Sequence, residues 1–235
     1  MIFNFLNKEK IKLDAYTIVG DLIDVIPPTL SKNNLPEWYS RLPKGGEIPN
    51  VRHCSGFKDL HNEGILIRAW SDMEIEISPD ESVAFDVACK DELKDPIERH
   101  DIKNQATGAW PGYTNLKLVS PWWFKCNKPV KWAMLPPVWH TKDPLDWMVV
   151  PGMLEFKYQH ATNVNLLFKL KSEPFMVRIK AGQPLVHMVP MFDEPWELDV
   201  KAMDISDWKR HFARWNHSFD LVYQKTRALV QKRSQ

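Results

Sequence analysis

Residues 150–191, VPGMLEFKYQHATNVNLLFKLKSEPFMVRIKAGQPLVHMVPM, decide the fold class of this chain. Pro151-Gly152 marks a turn, and Thr162, Asn163 and Asn165 place polar residues at the start of an alternating run. Gly182 stands just before the apolar run Leu185-Val186. Alternation at period two with glycine and proline punctuation predicts strands, here a β-hairpin or meander. Asn163 and Asn165 share one face of that strand, with Val164 on the other.

The rest of the chain carries the same signal. Met73-Glu74-Ile75-Glu76-Ile77 alternates cleanly, Ser78 to Ser82 forms a turn, and Val83, Phe85 and Val87 begin another strand. Ile11, Leu13 and Ala15 alternate in the N-terminal region, and Pro27-Pro28 ends any regular element there. Residues 27–50 form an ordered irregular Pro-rich loop with one helical turn near Glu37 to Arg41. Residues 90–109 read as a long polar loop. The run SPWWFKCNKPVKWAMLPPVWH reads as strand, turn and strand with a Pro-Pro exit. The sum is roughly nine to eleven strands at the short spacing of a sandwich or barrel. From Ser206, a candidate N-cap, Trp208, Phe212, Trp215, Phe219 and Val222 fall on one helical face. The expected architecture is mainly β, a β-clip or jelly-roll-like sandwich over residues 1–200 with a C-terminal α-helix in 201–235.

Composition narrows the function classes. A net charge of +1 gives no general attraction to nucleic acid or to an anionic membrane, which argues against either as a partner. No apolar run is long enough to span a bilayer, and no leader pattern opens the chain, so a cytoplasmic protein is expected. Cys54, Cys89 and Cys126 are widely spaced, with neither a disulfide framework nor a structural zinc motif. Walker-type, Rossmann and nucleophile-elbow motifs do not occur. The 11 tryptophans, five of them between 122 and 147, are numerous enough to serve a core, an interface or a stacking surface.

Two resemblances follow from particular residues. Gly152-Met153-Leu154-Glu155-Phe156-Lys157-Tyr158 and Ile179-Lys180-Ala181-Gly182-Gln183-Pro184-Leu185-Val186-His187 resemble the core of the trimeric dUTP pyrophosphatase and dCTP deaminase group. The resemblance implies a β-clip fold. It puts Glu155 at the place of an aspartate that helps activate water, and Tyr158 at that of a tyrosine under the deoxyribose. Gln159-His160 replaces the Arg-Gly of that group, Pro184 replaces an arginine, and the glycine-rich arm that closes over a triphosphate has no counterpart. Val51 to Phe57, Gly64 to Ile67, Ser120-Pro121-Trp122, Pro151-Gly152 and Ala181 to Pro184 resemble an uncharacterised family of tailed-phage and bacterial proteins. Host-cell cytoplasm is the compartment that resemblance implies.

Polar and ionisable residues concentrate in the 150–191 stretch. Glu155, Tyr158, His160, Asn163, Asn165 and His187 are therefore the candidate ligand-binding set. His160 and His187 are the candidate metal ligands, with Glu155 as a carboxylate, and the cofactor stays open between none, Fe²⁺ and Mg²⁺. Regular strand geometry sends Glu155 and His160 to opposite faces unless a bulge intervenes. The expected function is a phage-type accessory protein whose β domain binds a partner or a small ligand. The alternative is an enzyme, either a diverged nucleotide-processing one or an Fe²⁺-dependent one. A homo-oligomer is expected, a trimer in preference to a dimer, from the first resemblance and the surplus of tryptophan.

Overall fold

The computed structural model describes residues 10–45, 49–87, 97–99, 109–141 and 147–211. The chain is mainly β, with strands in several sheets and a short C-terminal helix; no sheet closes into a barrel among the described residues, in keeping with a sandwich.

The first and last strands meet. Strand β1 (Ile11–Thr17) lies between β8 (Trp123–Cys126), antiparallel to it, and β15 (Trp196–Ala202), parallel to it. Ile11, Leu13, Ala15 and Thr17 all point into the core, which the period-two pattern of this strand requires.

A five-stranded sheet runs β11 (Gly152–Leu154), β9 (Trp132–Leu135), β14 (Pro184–Pro190), β3 (Ile65–Arg68) and β2 (Thr29–Leu30). A four-stranded sheet runs β10 (Trp147–Val149), β12 (Val164–Lys169), β7 (Tyr113–Leu118) and β6 (Ile97–Arg99). A three-stranded sheet holds β13 (Phe175–Ile179), β4 (Met73–Ile77) and β5 (Val83–Val87). Trp122, Trp132, Phe124, Phe156 and Phe168 are fully buried within one apolar core fed by all four sheets.

The 150–191 stretch forms strands as expected, but not a hairpin or meander. Its four strands β11 to β14 enter three different sheets, and none pairs with the next in sequence. β13 pairs with β4, Val177 opposite Ile75. β14 lies between β3 and β9. The reason lies in burial: Leu185, Val186, His187 and Met188 are consecutive and all buried, so β14 is covered on both faces. A strand of that kind needs a neighbour on each edge and a layer on each side, which one hairpin partner does not supply.

Helix α1 (Leu22–Val25) precedes the Pro27-Pro28 break, and α2 (Glu37–Ser40) is the expected single turn of the irregular loop. Helix α3 (Ser55–Asn62) has no counterpart in the sequence reading. Its buried residues Phe57 and His61 are four apart and so share one face. Helix α4 (Ile205–His211) opens with the Trp208 N–H donating to the Asp204 carbonyl, which puts Ser206 inside the first turn and not at the cap. Trp208 meets Trp123 edge to face at 5.1 Å, docking the helix on β8. The remainder of the expected helix, with Phe212, Trp215, Phe219 and Val222, lies outside the described residues, as does most of the 90–109 loop.

Candidate functional site: a histidine nest beneath helix α3

The candidate residues of the 150–191 stretch go to three places. The first is a clasp along β8. Glu155 offers its carbonyl to the N–H groups of Tyr158 and Gln159, both at 3.0 Å, which turns the chain. His160 Nδ1 donates to the Phe124 carbonyl at 2.8 Å, and the Phe124 N–H donates back to the His160 carbonyl at 2.8 Å. Thr162 Oγ1 donates to the Trp122 carbonyl at 2.8 Å, and the Ser120 N–H donates to Asn163 Oδ1 at 3.2 Å. The turn at 156–158 breaks the strand period, so Glu155, Tyr158 and His160 are all buried despite their odd spacing. Burial lowers the His160 pKa, and Lys125 lowers it further against the Phe124 hydrogen bond.

Asn165 stands apart on β12, on the face that carries Lys117 of β7 opposite it. Its Oδ1 is buried without a hydrogen-bond partner among the described residues, as is that of Asn115 on the same face.

His187 belongs to a third place. On β14 it projects away from the core toward α3, and its Nε2 donates to the Glu63 carbonyl at 2.9 Å. His61 of α3 is 1% exposed and donates from Nδ1 to the Phe57 carbonyl at 2.9 Å. Because a carbonyl only accepts, these bonds fix the tautomers: Nε2 of His61 and Nδ1 of His187 carry lone pairs. His140 ends the 3₁₀ turn Val138–His140, which follows the Pro-Pro exit from β9. Its Nε2 is buried with no hydrogen-bond partner among the described residues. The His61 ring lies 5.8 Å from that of His140 and 6.0 Å from that of His187, centre to centre.

Aromatic side chains enclose this trio. His61 stacks on Phe57 at 4.0 Å; Tyr39 stacks on Phe57 at 5.1 Å; Trp139 meets it edge-on at 5.2 Å. Trp38 Nε1 donates to the Trp139 carbonyl at 2.8 Å, tying the irregular loop to the 3₁₀ turn. The Arg52 guanidinium sits over the Tyr39 ring at 4.7 Å. Val138 and Trp139 remain 59% and 42% exposed, so the nest lies directly under the surface there.

Electrostatics keep the imidazoles uncharged. Burial, the neighbouring His61 and His187, and the Arg68 guanidinium push His140 down to about 4. Burial lowers His61, partly offset by its bond to Phe57, and burial with His61 nearby lowers His187. At neutral pH the nest therefore offers neutral rings, with Nε2 of His61 and Nδ1 of His187 able to accept hydrogen bonds from a ligand. Buried titratable groups shifted together make the nest a functional-site candidate.

The structure thus separates His160 from His187, the pair considered as metal ligands: each serves its own backbone carbonyl. No three His, Cys, Asp or Glu side chains are arranged to hold a metal ion among the described residues. His61 and His140 are the residues that sequence reasoning missed as a site. The only early signal for His61 was its i, i+4 spacing from Phe57. No helix among the described residues is long and apolar enough to cross a membrane. Comparison with protein-family models, curated proteins and solved structures finds no match to this chain.

Proposed function

We propose that this protein is a phage-type accessory protein whose β domain binds a small ligand or a partner in the host-cell cytoplasm, with the ligand held at the histidine nest. The observation that carries the reading is His140 Nε2, buried and unpartnered among the described residues, beside two neutral imidazoles under a half-exposed aromatic cover. Polar atoms in such surroundings cost stability unless a partner satisfies them. A small molecule with N–H or O–H donors and a flat apolar face suits both the bare ring nitrogens and the aromatic walls. The phage-type assignment rests on the resemblance of Val51 to Phe57, Ser120-Pro121-Trp122 and Ala181 to Pro184.

A thermal-shift screen of nucleotides and 2-oxo acids tests the reading. A ligand that raises the melting temperature of the wild type should leave His140→Phe unshifted, while that variant keeps its fold because His140 Nε2 bonds nothing among the described residues. Equal stabilisation of His140→Phe and wild type overturns the assignment of the site.

A further inference from the structure

The nest is not the only place built to take something from outside. A cleft of about 650 Å³ lies where two sheets end side by side. On one wall stand Trp196, Glu197 and Leu198, consecutive residues of β15. Neighbouring residues of a strand point to opposite faces, so a cleft touching all three runs along the strand's edge. No residue of β1 lines it, so the edge is the one facing away from β1. On the other wall are Leu30 of β2 and the 62–64 turn. Both β2 and β15 are terminal strands of their sheets among the described residues. The cleft therefore runs along one strand edge, that of β15, opposite the ends of β2 and β14, and such an edge presents a row of N–H and C=O groups that pair readily with an added strand.

Its chemistry is graded. Phe192 and Trp196 supply an apolar floor and are held in place edge-on against the buried Trp132, at 5.3 and 5.0 Å. Glu63, Asp193 and Glu194 are exposed on the rim, and none has an ionic partner among the described residues. Glu197 is shared with Lys10 and Lys12, at 3.9 and 3.7 Å. Lys32 is the one basic residue among the described residues of the lining.

We propose that this cleft binds an extended, basic peptide segment of a partner protein, added as a strand along the edge of β15 that faces away from β1 and that no described strand covers. An extended chain alternates its side chains, so apolar groups reach Phe192 and Trp196 while lysines or arginines reach Glu63, Asp193 and Glu194. Backbone pairing supplies affinity that tolerates sequence, and the acidic rim selects for positive charge.

Fluorescence anisotropy of a short labelled peptide alternating lysine and valine, added to the full chain, tests this. Binding should weaken with salt, fall roughly tenfold in the doubly charge-reversed variant Asp193→Lys/Glu194→Lys, and be lost when alternate peptide nitrogens are methylated. The histidine nest is untouched by these changes, so His140→Phe should bind the peptide normally. Absence of binding, equal binding of a glutamate–valine peptide, or indifference to charge reversal or N-methylation overturns the proposal. The chain's own N-terminal segment is the competing occupant, because the Ile11 N–H donates to the Pro195 carbonyl at 3.1 Å and the chain before β1 starts beside the cleft. Peptide binding that emerges only when residues 1–9 are deleted assigns the cleft to that segment and also overturns the proposal.

Discussion

A Cβ placed on Gly64 would stand 2.0 Å from the carbonyl oxygen of Met188, and Gly64 also has φ +81°. The relationship joins the end of α3 to β14, because the Ser31 N–H donates to the Gly64 carbonyl at 3.0 Å and His187 bonds Glu63 just before it. Both the close approach and the left-handed conformation require glycine. Gly64→Ala is expected to destabilise the protein by on the order of 3 kcal/mol, through backbone strain and the clash with Met188. The urea midpoint should fall with an unchanged denaturant slope.

The nest makes stability depend on pH in a stated direction. His140 titrates at about 4 in the folded chain, and His61 and His187 are also shifted down, whereas unfolded histidines titrate near 6.5. Between those values the unfolded chain binds more protons, so stability falls as pH falls from about 6.5 towards about 4. His140→Phe should flatten the melting-temperature profile across that window relative to wild type. Parallel profiles for the two proteins would show that His140 does not titrate differently on folding.

The clasp along β8 predicts a sharp local cost. Thr162 is buried, and its hydroxyl donates to the Trp122 carbonyl and lies 3.1 Å from Ser120 Oγ. Thr162→Val keeps the shape but leaves that carbonyl without its donor, for an expected loss of about 1–3 kcal/mol. Chemical denaturation measures it directly.

Asn115 predicts the opposite. Its side chain is only 8% exposed and its Oδ1 has no partner among the described residues. Asn115→Leu removes a buried unsatisfied polar group and should be neutral or stabilising by up to about 1 kcal/mol. A marked fall in melting temperature would mean that the amide contributes to folding.

Self-association is the remaining expectation to test. Phe85, Trp110 and Met176 are exposed apolar side chains on the described surface, which suits burial between copies. Light scattering at tens of micromolar, about a usual working concentration, should give an oligomer, a trimer on the resemblance to the pyrophosphatase group. A monomer counts against it.

Much of the secondary structure was legible because it is a local property. Alternation in Met73 to Ile77 gives β4 with Met73, Ile75 and Ile77 buried and the two glutamates out. Pro27-Pro28 and Pro136-Pro137 end elements where proline geometry demands it. Helix α3 escaped notice because its sequence, SGFKDLHN, holds only Phe57, Leu60 and His61 to show a stripe over 8 residues.

What the sequence determined by itself was the mainly β class and, in strands such as β1 and β4, the face that is buried, since both follow from side-chain period along a few residues. Which strands pair, and hence which side chains meet, was decided by tertiary structure alone. Glu155, His160 and His187 looked like one set because they are near in sequence, yet the first two were drawn to β8 and the third to the underside of α3. His61, His140 and His187 come from residues far apart and meet only because β14 is buried on both faces and needs a helix above it. Period fixes the direction of a side chain, but its neighbours follow from long-range pairing that satisfies the whole core at once.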